Sequence, residues 1–306
     1  MAVETLRARV AAPGRLFALA VGAAASLYVI TVTGALVRLT GSGLGCESWP
    51  GCQKGTFFPA EDYHGFIEFG NRVFGAVPLL FTFVTWLAAR RTDELPELAR
   101  RLALATFLVT LAQAPIGLVV IATDLEPVAV VIHFVLALVA LAGALLLVLE
   151  VRALEAGRAR FVVPGELRRA GLVLVAACLG LVVTGTFTTA AGPHSGDPDV
   201  GRLWVLDHAI WLHVRSAAVF GLALVFVLGY LTAKRAASPR LFAAGLGLLA
   251  LSLAQAAIGE LQWRTELPWG IVLVHVALAA AVWAATVVLV GLLFRPLRWL
   301  EAATTL

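Results

Sequence analysis

Residues 269–294 read WGIVLVHVALAAAVWAATVVLVGLLF, an apolar run interrupted by one ionisable side chain, His275. A bilayer core is crossed by about 20 consecutive apolar residues in a helix. Inside lipid, a lone segment satisfies its backbone polar groups only as a helix. Seven further windows share this length and apolarity, at about 16–38, 66–89, 102–122, 128–149, 170–190, 204–232 and 241–261. The expected fold is an all-α polytopic protein of eight transmembrane helices, surrounded by membrane lipid.

Composition agrees with that expectation. Of 306 residues, 60% are hydrophobic and 14% charged, whereas soluble domains hold about 45–50% apolar residues. No room remains for a soluble catalytic domain. The net charge of +4 and a pI of about 9.3 do not imply a nucleic-acid partner, because the basic residues sit in short loops between apolar runs. Three cysteines are too few for a disulfide scaffold or a zinc cluster. The first apolar run, from Leu16, is too long for a signal peptide and has no small-residue cleavage site, so it is expected to remain as a span.

Basic residues crowd one set of loops: Arg7, Arg9 and Arg15; Arg90, Arg91, Arg100 and Arg101; Arg152, Arg158, Arg160, Arg168 and Arg169; Lys234, Arg235 and Arg240; Arg295 and Arg298. The alternate loops hold Arg38, Lys54, Arg202 and Arg264. The positive-inside rule then places both termini in the cytoplasm.

An internal repeat divides the chain. Leu111-Ala112-Gln113-Ala114-Pro115-Ile116-Gly117 returns 142 residues later as Leu253-Ala254-Gln255-Ala256-Ala257-Ile258-Gly259, and His133 and His275 differ by the same offset. Val32-Thr33-Gly34 matches Val183-Thr184-Gly185 at an offset of 151, a longer first loop absorbing the difference. Two pseudo-symmetric four-helix bundles are expected, residues 1–150 and 151–306. Each half has an even number of spans, so both enter the membrane in the same sense, a parallel repeat.

Six histidines carry most of the chemical information. His133, His213 and His275 stand near the starts of the fourth, sixth and eighth spans, which places them toward the outer leaflet. Imidazoles inside spans need partners, and an interhelical hydrogen bond is the simpler reading of any one alone. Two facing imidazoles in one bundle are a common way to hold haem iron, and His213 with His275 forms such a pair. No Cys, Asp or Glu accompanies them at zinc-ligand spacing, so no other metal is expected. His194 and His208 read as solvated groups of the outer loop.

The repeat fails at one informative place. The position 142 residues before His213 holds Asn71, an amide that binds iron poorly. The first half therefore has His133 alone or recruits another donor. His64, Glu68 and Asn71 share a helical face; His64 lies about 10 Å along the axis from Asn71 and is a possible ligand to the substrate haem if the helix begins with an irregular turn that swings its imidazole inward. Glu68, near the mouth of an apolar span, reads either as a salt bridge to Arg72 or as an acid, base or cation stabiliser beside a cofactor. Cys46 and Cys52 flank Glu-Ser-Trp-Pro-Gly in the first outer loop, where a disulfide is the expected state; a structural staple and a redox pair both fit. Cys178 reads as a small buried hydrophobe.

Thr33-Gly34-Ala35-Leu36-Val37-Arg38, Thr40-Gly41-Ser42-Gly43-Leu44-Gly45-Cys46, Trp49-Pro50-Gly51-Cys52, Ile67-Glu68-Phe69-Gly70-Asn71-Arg72 and the late span histidines together resemble the haem A synthase family over essentially the whole chain. The resemblance implies oxidation of a methyl group of haem O to a formyl group, giving haem A for cytochrome oxidase. Two hydroxylations of one methyl carbon would give a geminal diol, which loses water to leave the aldehyde. It also implies a permanent haem b in the C-terminal half with His213 and His275 as axial ligands. The substrate haem would sit in the N-terminal half on His133, beside catalytic Glu68 and neighbouring Asn71 and Arg72, with Cys46 and Cys52 as the outer-loop pair. Asn71 departs from the family's histidine, and the second cysteine pair of some members is absent. Haem O synthase is the implied supplier of substrate, and an electron donor is required.

Two rival classes follow from the same residues. One is a di-haem b-type protein passing electrons from quinol to an outside acceptor; the other is a transporter using the pseudo-two-fold site.

Overall fold

The structure is a computed structural model that describes residues 13–196, 200–235 and 238–301; Arg7 and Arg9 of the N-terminal basic group lie outside them. Among the described residues there are nine α-helices: α1 (Pro13–Leu39), α2 (Tyr63–Phe74), α3 (Ala76–Arg90), α4 (Glu97–Ala122), α5 (Pro127–Ala156), α6 (Gly165–Ala191), α7 (Leu206–Ala233), α8 (Pro239–Arg264) and α9 (Trp269–Phe294), followed by a 3-10 turn at Arg298–Leu300. With α2 and α3 counted together, eight helical segments are long and apolar enough to cross a membrane. The protein is a multi-pass membrane protein.

Several helices outrun their apolar windows. α4 starts at Glu97 and α5 continues to Ala156, because Glu, Leu, Ala and Arg keep a helix going after hydrophobicity ends. The second span breaks at Gly75. Pro78 explains the break, since its ring opposes the carbonyl four residues earlier, at Phe74, where α2 stops. The N-terminus of α2 is set by Asp62, whose carboxylate accepts from the Gly65 N–H at 2.9 Å.

Helix contacts close into two circuits. α1 packs on the α2–α3 span and on α5, and α4 joins α3 to α5. In the second circuit α6 packs on α7 and α9, and α8 joins α7 to α9. The circuits meet where α9 lies against α1 and α5, and α5 against α6. Leu138, Leu141, Leu174, Leu224, Leu289 and Leu293 fill this centre and are almost fully buried. Two aromatic side chains bond across it: Tyr28 of α1 donates to the Ala277 carbonyl and Trp283 Nε1 of α9 to the Leu138 carbonyl, each at 2.9 Å.

Both ends of the junction are tied as well. At the end rich in arginine, buried Glu150 accepts from Arg158 at 2.7 Å and from Arg295 at 2.8 Å, joining α5, the following loop and α9. At the other end the α4–α5 and α8–α9 turns share a backbone form. Asp124 and Leu125 have φ of 49° and 61°, and Glu266 and Leu267, 142 residues on, 62° and 59°. Non-glycine residues seldom take this left-handed region. Leu125 is buried against Gly43 and Gly196, where an added Cβ would lie 2.6 and 2.8 Å from its side chain. Glycine at both places leaves room for the Leu125 side chain as it stands.

Candidate functional site

His213 is the eighth residue of α7 and His275 the seventh of α9. Their ring centroids are 6.4 Å apart, with planes at 73°. The neighbouring helices come close because they present glycine. A Cβ on Gly185 of α6 would lie 3.0 Å from His213 Cε1, and one on Gly259 of α8 would lie 3.0 Å from His275 Cε1.

The hydrogen bonds around His213 assign its proton. Thr184 Oγ1 donates to the Leu181 carbonyl at 2.9 Å, so toward His213 Nδ1, 3.3 Å away, it offers a lone pair. Nδ1 then carries the proton, and the Nε2 lone pair is free to bind a metal. His275 Nε2 faces Gln255 Nε2 at 3.2 Å, while its Nδ1 is buried without a hydrogen-bond partner. Two metal–nitrogen bonds of about 2 Å each fit the separation of the rings. The donor set, its glycine cradle and the orphaned ring nitrogen suit an iron porphyrin held by two imidazoles. Among the described residues no cluster of three or more His, Cys, Asp or Glu could hold a different metal ion.

The first circuit is built differently. His133, the seventh residue of α5, lies over Gly117 of α4, where an added Cβ would be 3.6 Å from its Cε1. The end of the Gln113 amide is 3.1 Å from His133 Nδ1; with nitrogen at that end it also donates to the His133 carbonyl, and its oxygen accepts from the Ala137 N–H. Asn71 is turned to α1: Thr33 Oγ1 donates to Asn71 Oδ1 at 2.8 Å.

Glu68 is 4% exposed, and both carboxylate oxygens are engaged. One takes the ion pair from Arg72, and the other accepts from the Cys46 N–H at 2.8 Å. Arg72 also donates to the carbonyls of Ser48 and Gly51. The salt bridge expected from the spacing is present, and it ties the outer loop to α2. The sulfurs of Cys46 and Cys52 are paired, 1.95 Å apart, and cluster with Phe69, whose ring meets those of Phe57 and Phe58. Gly45 lets the loop lie directly on the backbone of His64 and Gly65.

His64 stands in the first regular turn of α2, exposed, with Nδ1 2.9 Å from Ser42 Oγ. His208 is exposed in the first turn of α7. His194 departs from the solvated reading: it is half-buried, and its Nε2 bonds to the Leu267 carbonyl at 2.7 Å. The strained α8–α9 turn turns that carbonyl toward the α6–α7 loop and gives the imidazole its partner. Sequence reasoning singled out the histidines and Asn71 and missed the side chains that hold them, Thr184, Gln113 and Gln255 on the histidines and Thr33 on Asn71. The signal was there, since all four lie inside the repeated Val-Thr-Gly and Leu-Ala-Gln-Ala stretches.

Comparison with known proteins places these residues in context. Residues 17–64 and 58–287 match the family described as "Cytochrome oxidase assembly protein" (COX15-CtaA). A "Heme A synthase" of Geobacillus thermodenitrificans is 36% identical over 100 residues, 32% of this chain and 31% of the relative. One of Symbiobacterium thermophilum is 34% identical over 125 residues, 40% of each chain. One of Bacillus mycoides is 34% identical over 132 residues, 42% of each. The chain thus spans about a third to two-fifths of the length of the curated relatives it matches.

Proposed function

The chain belongs to the cytochrome oxidase assembly protein family, and from that premise we propose that it is a membrane oxidoreductase, a haem A synthase, converting a methyl group on the rim of haem O to the formyl group of haem A. The observation that carries the reading is the His213–His275 pair, two imidazoles 6.4 Å apart with the Nε2 lone pair of His213 left free. In this reading residues 151–306 form the bundle of a resident haem b on His213 and His275, and residues 1–150 receive the substrate. When bound, haem b supplies one-electron chemistry between an electron donor and the substrate site.

The chain's own residues do the positioning. His133 takes the iron of haem O, and Gln113 orients its ring. Asn71 accepts from Thr33 through its carbonyl oxygen and, as an amide, would leave His133 as the residue of this half that would hold the iron. Glu68, about one helical turn from Asn71, is the catalytic carboxylate. Arg72 and the Cys46 N–H hold it in place, aimed to stabilise positive charge at the rim carbon or to accept its proton. Both sites lie toward the outer face of the cell membrane and both termini in the cytoplasm, as the basic loops suggest. Haem O synthase supplies the substrate.

Porphyrins extracted from the purified protein and weighed test the reading. Haem O or haem A beside haem b supports it; haem b alone at two equivalents per chain overturns it in favour of electron transfer from quinol, and no porphyrin overturns it in favour of transport.

A further inference from the structure

The segment that repeats most closely, identical at six of seven positions between 111–117 and 253–259, puts a glutamine and a glycine one turn apart on one helical face. In both copies that face meets the histidine of the next helix: Gln113 and Gly117 meet His133, and Gln255 and Gly259 meet His275. The glycine gives the ring its space. The glutamine supplies a neutral side chain that can either donate or accept.

At the second copy two buried polar atoms are left over, and they are complementary. His275 Nδ1 and Gln255 Oε1 each lack a hydrogen-bond partner, although the two residues already touch through Gln255 Nε2 and His275 Nε2. Unpaired polar atoms in a low-dielectric interior are costly. If Nε2 binds a metal, the single proton of the neutral imidazole must reside on Nδ1, which then needs an acceptor. At the first copy the amide of Gln113 lies 3.1 Å from His133 Nδ1 with its nitrogen end, and at His213 the hydroxyl of Thr184 accepts at Nδ1.

We propose that Gln255 is the positioning residue of His275, swinging its amide from Nε2 to Nδ1 and accepting the Nδ1 proton on Oε1 when the site holds haem. The amide serves both states: its N–H holds the imidazole before ligation, and its oxygen holds the opposite tautomer afterwards. The inference rests on the haem reading above and adds to it how the electron density of the axial imidazole is set, because a stronger acceptor at Nδ1 makes the ligand more basic and stabilises ferric iron.

The test uses the intact protein purified with its haem, comparing Gln255→Leu and Gln255→Glu by haem content, low-spin electron paramagnetic resonance and redox titration. Leucine, without an acceptor, is expected to raise the midpoint potential of the low-spin haem and to weaken its retention by about ten- to a hundred-fold. Glutamate, a stronger acceptor, is expected to lower the potential with haem retained. Potentials and resonance spectra unchanged from wild type in both variants overturn the proposal, and so does loss of haem from the glutamate variant. Wild-type protein that carries no low-spin haem instead overturns the reading on which it rests.

Discussion

Thr33 Oγ1 donates to Asn71 Oδ1 at 2.8 Å, and its counterpart in the repeat, Thr184, meets His213 Nδ1 at 3.3 Å. The threonine that orients an imidazole in one half thus orients an amide in the other. The threonine is kept in both halves, while its partner is a histidine in one and an asparagine in the other.

That relationship makes Asn71→His an informative substitution. Thr33 is in place to take the new Nδ1 proton, so the variant is expected to add a second low-spin haem signal to that of the other half. In the unaltered protein, His64→Ala should leave the spectrum of the substrate haem unchanged, because His64 is bonded to Ser42. Conversion of a low-spin signal to high spin by His64→Ala would make His64 the missing ligand and refute His133 as the one residue of this half that holds the iron.

If His213 and His275 hold the iron as proposed, His213→Ala and His275→Ala should each abolish the low-spin haem b spectrum, since Gly185 and Gly259 beside them offer no substitute donor. Pyridine haemochrome content together with the visible spectrum of the purified variants decides it; a full low-spin spectrum in both sinks the assignment.

The loop closed by Cys46 and Cys52 also holds Glu68 and Arg72 through the Cys46 N–H and the Ser48 and Gly51 carbonyls. Both thiols should resist labelling in protein isolated without reductant. A bridge across six positions is worth about 2 kcal/mol by loop entropy, so the double serine variant should fold but place Glu68 poorly and form the formyl product more slowly. Glu68→Ala should abolish that product with haem still bound; wild-type turnover in Glu68→Ala would remove the carboxylate from the chemistry.

Glu150 joins the two halves at the arginine-rich end through Arg158 and Arg295, whose side chains are 30% and 40% exposed. Breaking a fully buried pair costs about 3–5 kcal/mol. Partial exposure reduces this, and Glu150→Ala is expected to lose about 2 kcal/mol. Thermal unfolding in detergent measures it, with Glu150→Gln falling between; a melting temperature equal to wild type would show the clamp to be idle.

Much of this architecture is legible in the residues because lipid leaves few alternatives: an apolar run must be a helix, so eight runs give eight spans. The offset of 142 also puts Asn71 opposite His213 from the sequence alone. What periodicity could not give were features set by single side chains acting at a distance. Pro78 cuts the second span at Gly75, the Leu267 carbonyl removes His194 from solvent, and Thr184 chooses a tautomer. Each depends on which neighbouring helix comes close, and no pattern along one helix encodes that.

The two hydrogen bonds across the mid-membrane junction run from an aromatic side chain to a main-chain carbonyl. A carbonyl is present whatever residue carries it, so Ala277 and Leu138 are free to drift as acceptors within the limits of volume and helix continuity. Tyr28 and Trp283 are not, because no aliphatic replacement has a proton to give. Each bond in a membrane interior is worth about 0.6–1 kcal/mol. Libraries randomised at the four positions should therefore recover functional chains with varied small or aliphatic residues at 138 and 277 and almost no variety at 28 and 283. An obligation that falls on the donor alone lets the two halves diverge in sequence while staying fastened together.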